Sequence, residues 1–110
     1  MKKVHSSALA TLIGIKTISS RPYKINIEVR LSTSGYSVTI VSRDAKVLTG
    51  VAQRLRESDY RYAVYVDDYG FIRLHLRNLG LQDVAYIEKI VRETASKRKH
   101  IEESVFALAS

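Results

Sequence analysis

Lys24-Ile25-Asn26-Ile27-Glu28-Val29-Arg30-Leu31 alternates without a break, with Ile25, Ile27, Val29 and Leu31 on one face and Lys24, Asn26, Glu28 and Arg30 on the other. A period of two marks a strand with one face in a core and the other in water. Directly after it, Ser32-Thr33-Ser34-Gly35 has turn composition and Tyr36 to Arg43 alternates again, so the two runs read as a hairpin. Asp44 then stands where a helix N-cap belongs, with Val47, Leu48, Val51 and Leu55 behind it at helical spacing. Gly50 weakens the intrinsic helix preference of that segment.

The same order returns downstream. Arg61 to Asp67 alternates, Asp68-Tyr69-Gly70 turns, Phe71 to Arg77 alternates, and Val84, Ile87 and Val91 mark another helix. Upstream, the apolar residues of Lys3 to Lys16 cluster instead of alternating, and the stretch reads as a helix. Ser19-Ser20-Arg21-Pro22 ends it, because Pro22 lacks a backbone donor and pushes Arg21 towards extended conformations. Thr94 to Ser110 carries the basic run Lys97-Arg98-Lys99-His100 and then Ile101, Val105 and Leu108 at helical spacing, either a further helix or a continuation of the preceding one. The expected architecture is α+β, αββαββα, with an antiparallel sheet and its helices on one face. Residues 1–93 form that unit, and residues 94–110 a basic segment with a C-terminal helix.

At 110 residues the chain supports one hydrophobic core. Its 45% hydrophobic and 26% charged residues are those of a globular domain, and 18 Lys and Arg against 11 Asp and Glu leave +7. The absence of cysteine excludes disulfide scaffolds, thiolate zinc sites and cysteine nucleophiles. No apolar stretch near the N-terminus approaches the roughly 20 residues of a membrane span. Lys16 breaks any signal-like apolar region, so a cytoplasmic location is expected and the N-terminus is read as part of the fold. His5, His75 and His100 lie far apart, Asp67-Asp68 suits a hairpin turn, and neither a glycine-rich phosphate loop nor a Gly-x-Ser-x-Gly elbow occurs. The expectation is therefore no metal, no cofactor and no small-molecule substrate. Lack of Cys, a single Met and few Asn and Gln agree with a thermophilic source.

Between Ala8 and Ile15 the first expected helix is apolar nearly all round, and such a helix needs cover on two sides. Ser6, Ala10 and Gly14, four apart, would form a small-residue stripe along it that allows close approach. The expectation is a homodimer with these helices side by side. The alternative is a monomer whose C-terminal helix covers the second side.

Leu9-Ala10-Thr11-Leu12-Ile13-Gly14-Ile15-Lys16 resembles the LAGLIDADG motif read without a gap, and the passage from Tyr36 through Ser42-Arg43-Asp44 to Leu55 is similar to that family's strand-to-helix passage. The resemblance, to the LAGLIDADG homing endonucleases, spans roughly Ser6 to Glu93. It implies an αββαββα unit, two units meeting through their first helices, and sheets forming a saddle on DNA. In the family, the acidic residue at the eighth motif position binds the catalytic divalent metal. Lys16 stands there, Gly14 occupies the other acidic position, and no Asp or Glu occurs from Met1 to Ile27. A cation in that place repels Mg²⁺, so the resemblance implies a saddle without nuclease chemistry.

The core-facing strand positions expected are Ile25, Ile27, Val29, Leu31, Val38, Ile40, Tyr62, Val64, Val66, Ile72, Leu74 and Leu76, none of them charged. The opposite face holds six cations (Lys24, Arg30, Arg43, Arg61, Arg73, Arg77) and two acids (Glu28, Asp67), which is +4 of the total +7, alongside Asn26, Val41, Tyr65 and His75. With all helices on the apolar side, a twisted basic ribbon stays free to enter the major groove of duplex DNA. Arginines there reach guanine edges, Asn26 pairs with adenine, Lys24 holds phosphate, and Tyr65 stacks on bases. The expected partner is duplex DNA and the role regulatory or architectural. Any half-solvated sheet needs a polar outer face, which is the plainer account of the same residues. Two rivals are an active nuclease using a carboxylate such as Glu28, and a protein-interaction module whose charge is incidental.

Overall fold

The structure is a computed structural model that describes residues 11–20 and 23–109, with side chains described over 11–19 and 23–97. The elements run β1 (Thr11–Ser20), β2 (Tyr23–Ser32), β3 (Gly35–Ser42), α1 (Ala45–Glu57), β4 (Ala63–Val66), β5 (Ile72–Leu79) and α2 (Leu81–Ala109). The class is α+β. One antiparallel five-stranded sheet has the order β1-β2-β3-β5-β4.

Alternation in β2 is realised as a pleat: Ile25 and Ile27 are buried, and opposite them across β3 stand Ser42 and Ile40, buried too. Val38, Ile40, Leu74 and Leu76 continue the layer. Onto it pack Val47, Leu48, Val51 and Leu55 of α1 and Ile87, Ile90, Val91 and Ala95 of α2. Both helices therefore lie on one face. Truncating a wholly buried member such as Ile40 to alanine costs on the order of 2–5 kcal/mol.

The first element departs from the expectation: from Thr11 onward the stretch expected as a helix is strand β1, and the described element order is βββαββα. Met1 to Ala10 lie outside the described residues. β-branched side chains supply the physical reason, since Thr11, Ile13, Ile15, Thr17 and Ile18 favour a pleated surface and Gly14 disfavours a helix. The strand pairs with β2 from Ser20↔Tyr23 to Thr11↔Leu31, with a bulge between Leu12 and Gly14 that breaks the period of two. Leu12, Ile13 and Ile15 are exposed on it, so the clustered apolar residues record an edge strand, not a doubly covered helix. Of the expected small-residue stripe, Gly14 sits on this strand while Ser6 and Ala10 lie outside the described residues. Lys16 faces the helices and meets Glu88 of α2 at 2.7 Å.

Covering is the second departure. Val64 and Val66 point to the helix side, opposite Leu74 and Ile72, yet are 53% and 68% exposed, because β4 is an edge strand that neither helix reaches across. Leu31 is likewise exposed at the far end of β2. Tyr62 packs on the core from the loop before β4.

Caps and turns follow local chemistry. Asp44 is the N-cap of α1 and accepts from the Val47 N–H, while Ser42 Oγ accepts from the Asp44 N–H at 3.0 Å and donates to the Lys24 carbonyl at 2.9 Å. At its other end, the Tyr60 N–H reaches the Leu55 carbonyl at 2.9 Å and Asp59 takes φ 64°, the paired arrangement that closes a helix through a left-handed residue. In α2, Asp83 reaches back to the Gly80 N–H at 2.9 Å and accepts from Tyr60 Oη at 2.7 Å. Asp67 holds its hairpin turn by accepting from the Tyr69 and Phe71 N–H groups, a structural role. α2 runs uninterrupted past Glu93 and Thr94, so the C-terminal segment continues it. No helix among the described residues is long and apolar enough to cross a membrane.

Candidate nucleic-acid interface

Because both helices sit on the Ile25–Ile27 side, the even-numbered residues of β2 and their register partners form an open face. Pairing places Asn26 beside Thr17 and Val41, Glu28 beside Ile15 and Thr39, and Arg30 beside Leu12 and Ser37. Across the next strands, Thr39 stands beside His75 and Val41 beside Arg73, with Ala63 and Tyr65 of β4 opposite them. The β1 margin of this face is apolar, through Leu12 and Ile15. Its cations gather towards β5 and β4.

Arg30, Tyr65, Arg73 and His75 surround a hollow of about 360 Å³ together with Glu28 and Thr39. Arg61, Tyr65, His75 and Arg77 surround a second, of about 430 Å³, at the β4–β5 edge. Tyr65 and His75 belong to both. Lys24 and Asn26 lie outside the two hollows, further along β2. Arg43 is set apart as well, its guanidinium 5.5 Å from the centre of the Phe71 ring.

The cations differ in how they are engaged. Glu28 holds Arg30 at 3.0 Å and Asp67 stands 3.7 Å from Arg73. Among the described residues, Arg61 and Arg77 have no ion-pair partner. Asn26 Oδ1 accepts from Thr17 Oγ1 at 2.9 Å, which engages one of the two lone pairs of the acceptor an adenine amino group would use. His75 Nδ1 is hydrogen-bonded to Thr39 Oγ1 at 2.9 Å. Burial, then the charges of Arg77 and Arg30, hold its imidazole below the ordinary value of 6.5, so it is neutral at neutral pH.

Sequence reasoning missed Thr39, which orients His75, and Asn78, whose φ of 58° accompanies the register shift in β5 next to Arg77. Only the inter-strand register brings Thr39 to His75; an Asn in a strand otherwise rich in β-formers was the available sign of the bulge. Val41, expected exposed, is buried between Asn26 and Arg73. Among the described residues, no three His, Asp or Glu side chains gather as a metal site would require. Glu28 is turned to Arg30, and Lys16 to Glu88. No family model, no curated protein and no solved structure matches the chain.

Proposed function

We propose that the chain binds duplex DNA in the cytoplasm through the open face of its sheet, in a regulatory or architectural role. The observation that carries the reading is the placement of charge: the face that both helices leave uncovered holds Lys24, Arg30, Arg43, Arg61, Arg73 and Arg77 against Glu28 and Asp67. Phosphate attraction needs only such a surface, and it supplies most of non-specific affinity. Cleavage is not part of the reading: Lys16, where the resemblance would put the metal-binding acid, lies on strand β1 instead of a helix and is engaged by Glu88.

Fluorescence anisotropy of a labelled random duplex at several salt concentrations tests it. Affinity falling by orders of magnitude between about 50 and 200 mM salt is the expected result. Absence of binding at low salt would sink the reading and leave the protein-interaction alternative. Mg²⁺ added to the same samples leaves the DNA intact. Self-association into a homodimer belongs to the same proposal, through the exposed Leu12, Ile13 and Ile15 of β1 and no longer through a first helix, and is tested by light scattering at micromolar concentration.

A further inference from the structure

We propose that the hollow at the β4–β5 edge takes one unpaired nucleotide, its phosphate between Arg61 and Arg77 and its base against Tyr65. This rests on the open face being a nucleic-acid surface and says which part of a nucleic acid the edge of that surface receives.

Three observations converge there. Elsewhere on the open face the arginines are already engaged: Arg30 with Glu28, Arg73 near Asp67, Arg43 over Phe71. Arg61 and Arg77 alone of the face's arginines lack such an engagement among the described residues, and no carboxylate lines the hollow between them. A site with two guanidinium groups and no acid is built for an anion, and the guanidinium fork matches phosphate oxygens.

Tyr65 adds the second half. It is 57% exposed and belongs to both hollows, a large ring left to water on a face no helix covers. Arg73 is its register partner and His75 lies alongside, fixed by Thr39. An aromatic platform beside unneutralised arginines is the pairing that single strands use: the ring stacks on a base while the cations follow the backbone. In a continuous duplex the base faces are covered by their neighbours, so only a terminal, extruded or single-stranded nucleotide offers one. At about 430 Å³ the hollow lies at the small end of the range for ligand pockets, a size that holds one nucleotide.

The test compares three labelled probes by anisotropy at low salt: a blunt duplex, the same duplex with a short single-stranded overhang, and the single strand. The overhang and the single strand are expected to bind roughly tenfold tighter than the blunt duplex, the scale of one base stacked on an aromatic ring. Tyr65→Ala brings the three probes to within about twofold of each other, whereas Tyr65→Phe keeps the preference. Arg77→Ala weakens all three and lowers the salt slope by about one phosphate contact. Equal affinity for the three probes overturns the inference and leaves the open-face reading standing, as does a preference that survives Tyr65→Ala. Loss of all salt-sensitive binding overturns both.

Discussion

Gly50 of α1 lies so close to Thr94 of α2 that a Cβ on Gly50 would stand 2.9 Å from the Thr94 Cγ2. The helices are drawn together there, with Arg54 and Glu93 bridging them at 2.8 Å. Alanine normally gains about 1 kcal/mol over glycine inside a helix. Here the added methyl has no room, because Thr94 is β-branched and its hydroxyl is tied to the Ile90 carbonyl at 2.7 Å. Overpacking outweighs propensity, so Gly50→Ala lowers stability by on the order of 1 kcal/mol. Thr94→Ser in the same chain removes Cγ2, keeps the hydroxyl and restores stability. Urea unfolding of both single variants and the double checks this; simple additivity would mean the contact is not the cause.

Tyr60 and Asp83 tie the loop after α1 to the start of α2. Burial, then the hydrogen bond to Asp83, push the Tyr60 phenol up to about 12. An unfolded tyrosine ionises near 10, so the folded chain holds a proton that the unfolded chain releases. The resulting stability is complete below pH about 10 and is lost as the pH rises through the folded value. Tyr60→Phe forfeits the bond to Asp83, about 1 kcal/mol at neutral pH, and removes this part of the alkaline loss. Urea midpoints measured from neutral to alkaline pH report both effects.

On the proposal that the open face binds DNA, His75 makes that binding depend on pH. Burial first, then the charges of Arg77 and Arg30, opposes its protonation in the free protein, and a bound phosphate would relieve the part that comes from the arginines. Binding therefore takes up a proton, and affinity rises as the pH falls from about 7.5 towards 6. His75→Gln flattens this profile. Without DNA the sign reverses: the unfolded chain protonates first, so stability falls as the pH drops below the ordinary histidine value. Anisotropy and thermal melts over one pH series separate the two; affinity independent of pH in the unmodified protein would refute the account.

Lys16 and Glu88 fasten β1 to α2, and Arg92 meets the same carboxylate at 3.0 Å. The hydrogen bond from Lys16 is the largest influence holding the Glu88 carboxyl below its usual 4.5, burial working against it. Its contribution is present above that value and disappears as the pH falls through the lowered one. Lys16 is half exposed, so Lys16→Ala costs at most about 1 kcal/mol. Lys16→Glu, which sets like charges together, lowers the Tm further and more strongly at low ionic strength. An unchanged Tm would show that the pair does not hold the strand.

Residues 24–31 were legible because a strand with one wet face writes its period directly into the sequence, and Asp44 and Asp67 because capping and turn chemistry are local. β1 was not, since a bulge at Ile13 removes the period and an exposed edge leaves apolar residues where no core demands them. Val64 and Val66 had the right face, but a sequence does not state how far a helix layer extends. The open-face residues were named individually. Their grouping around Tyr65 depends on β5 lying between β3 and β4, a topological fact carried by no single segment.

That strand order also sets how the chain reaches its native state. β1, β2 and β3 join neighbours in sequence, as do β4 and β5, and such hairpins close quickly over short loops. The seam between β3 and β5 is different: Thr39 and His75 meet across 36 residues, with α1 and β4 threaded between. Loop closure there precedes any gain from burying Ile40 on Leu74, which makes docking of the two pieces the slow step. Leu74→Ala then retards refolding, while truncation of Val64 at the margin changes mainly the unfolding rate, a contrast that chevron plots resolve.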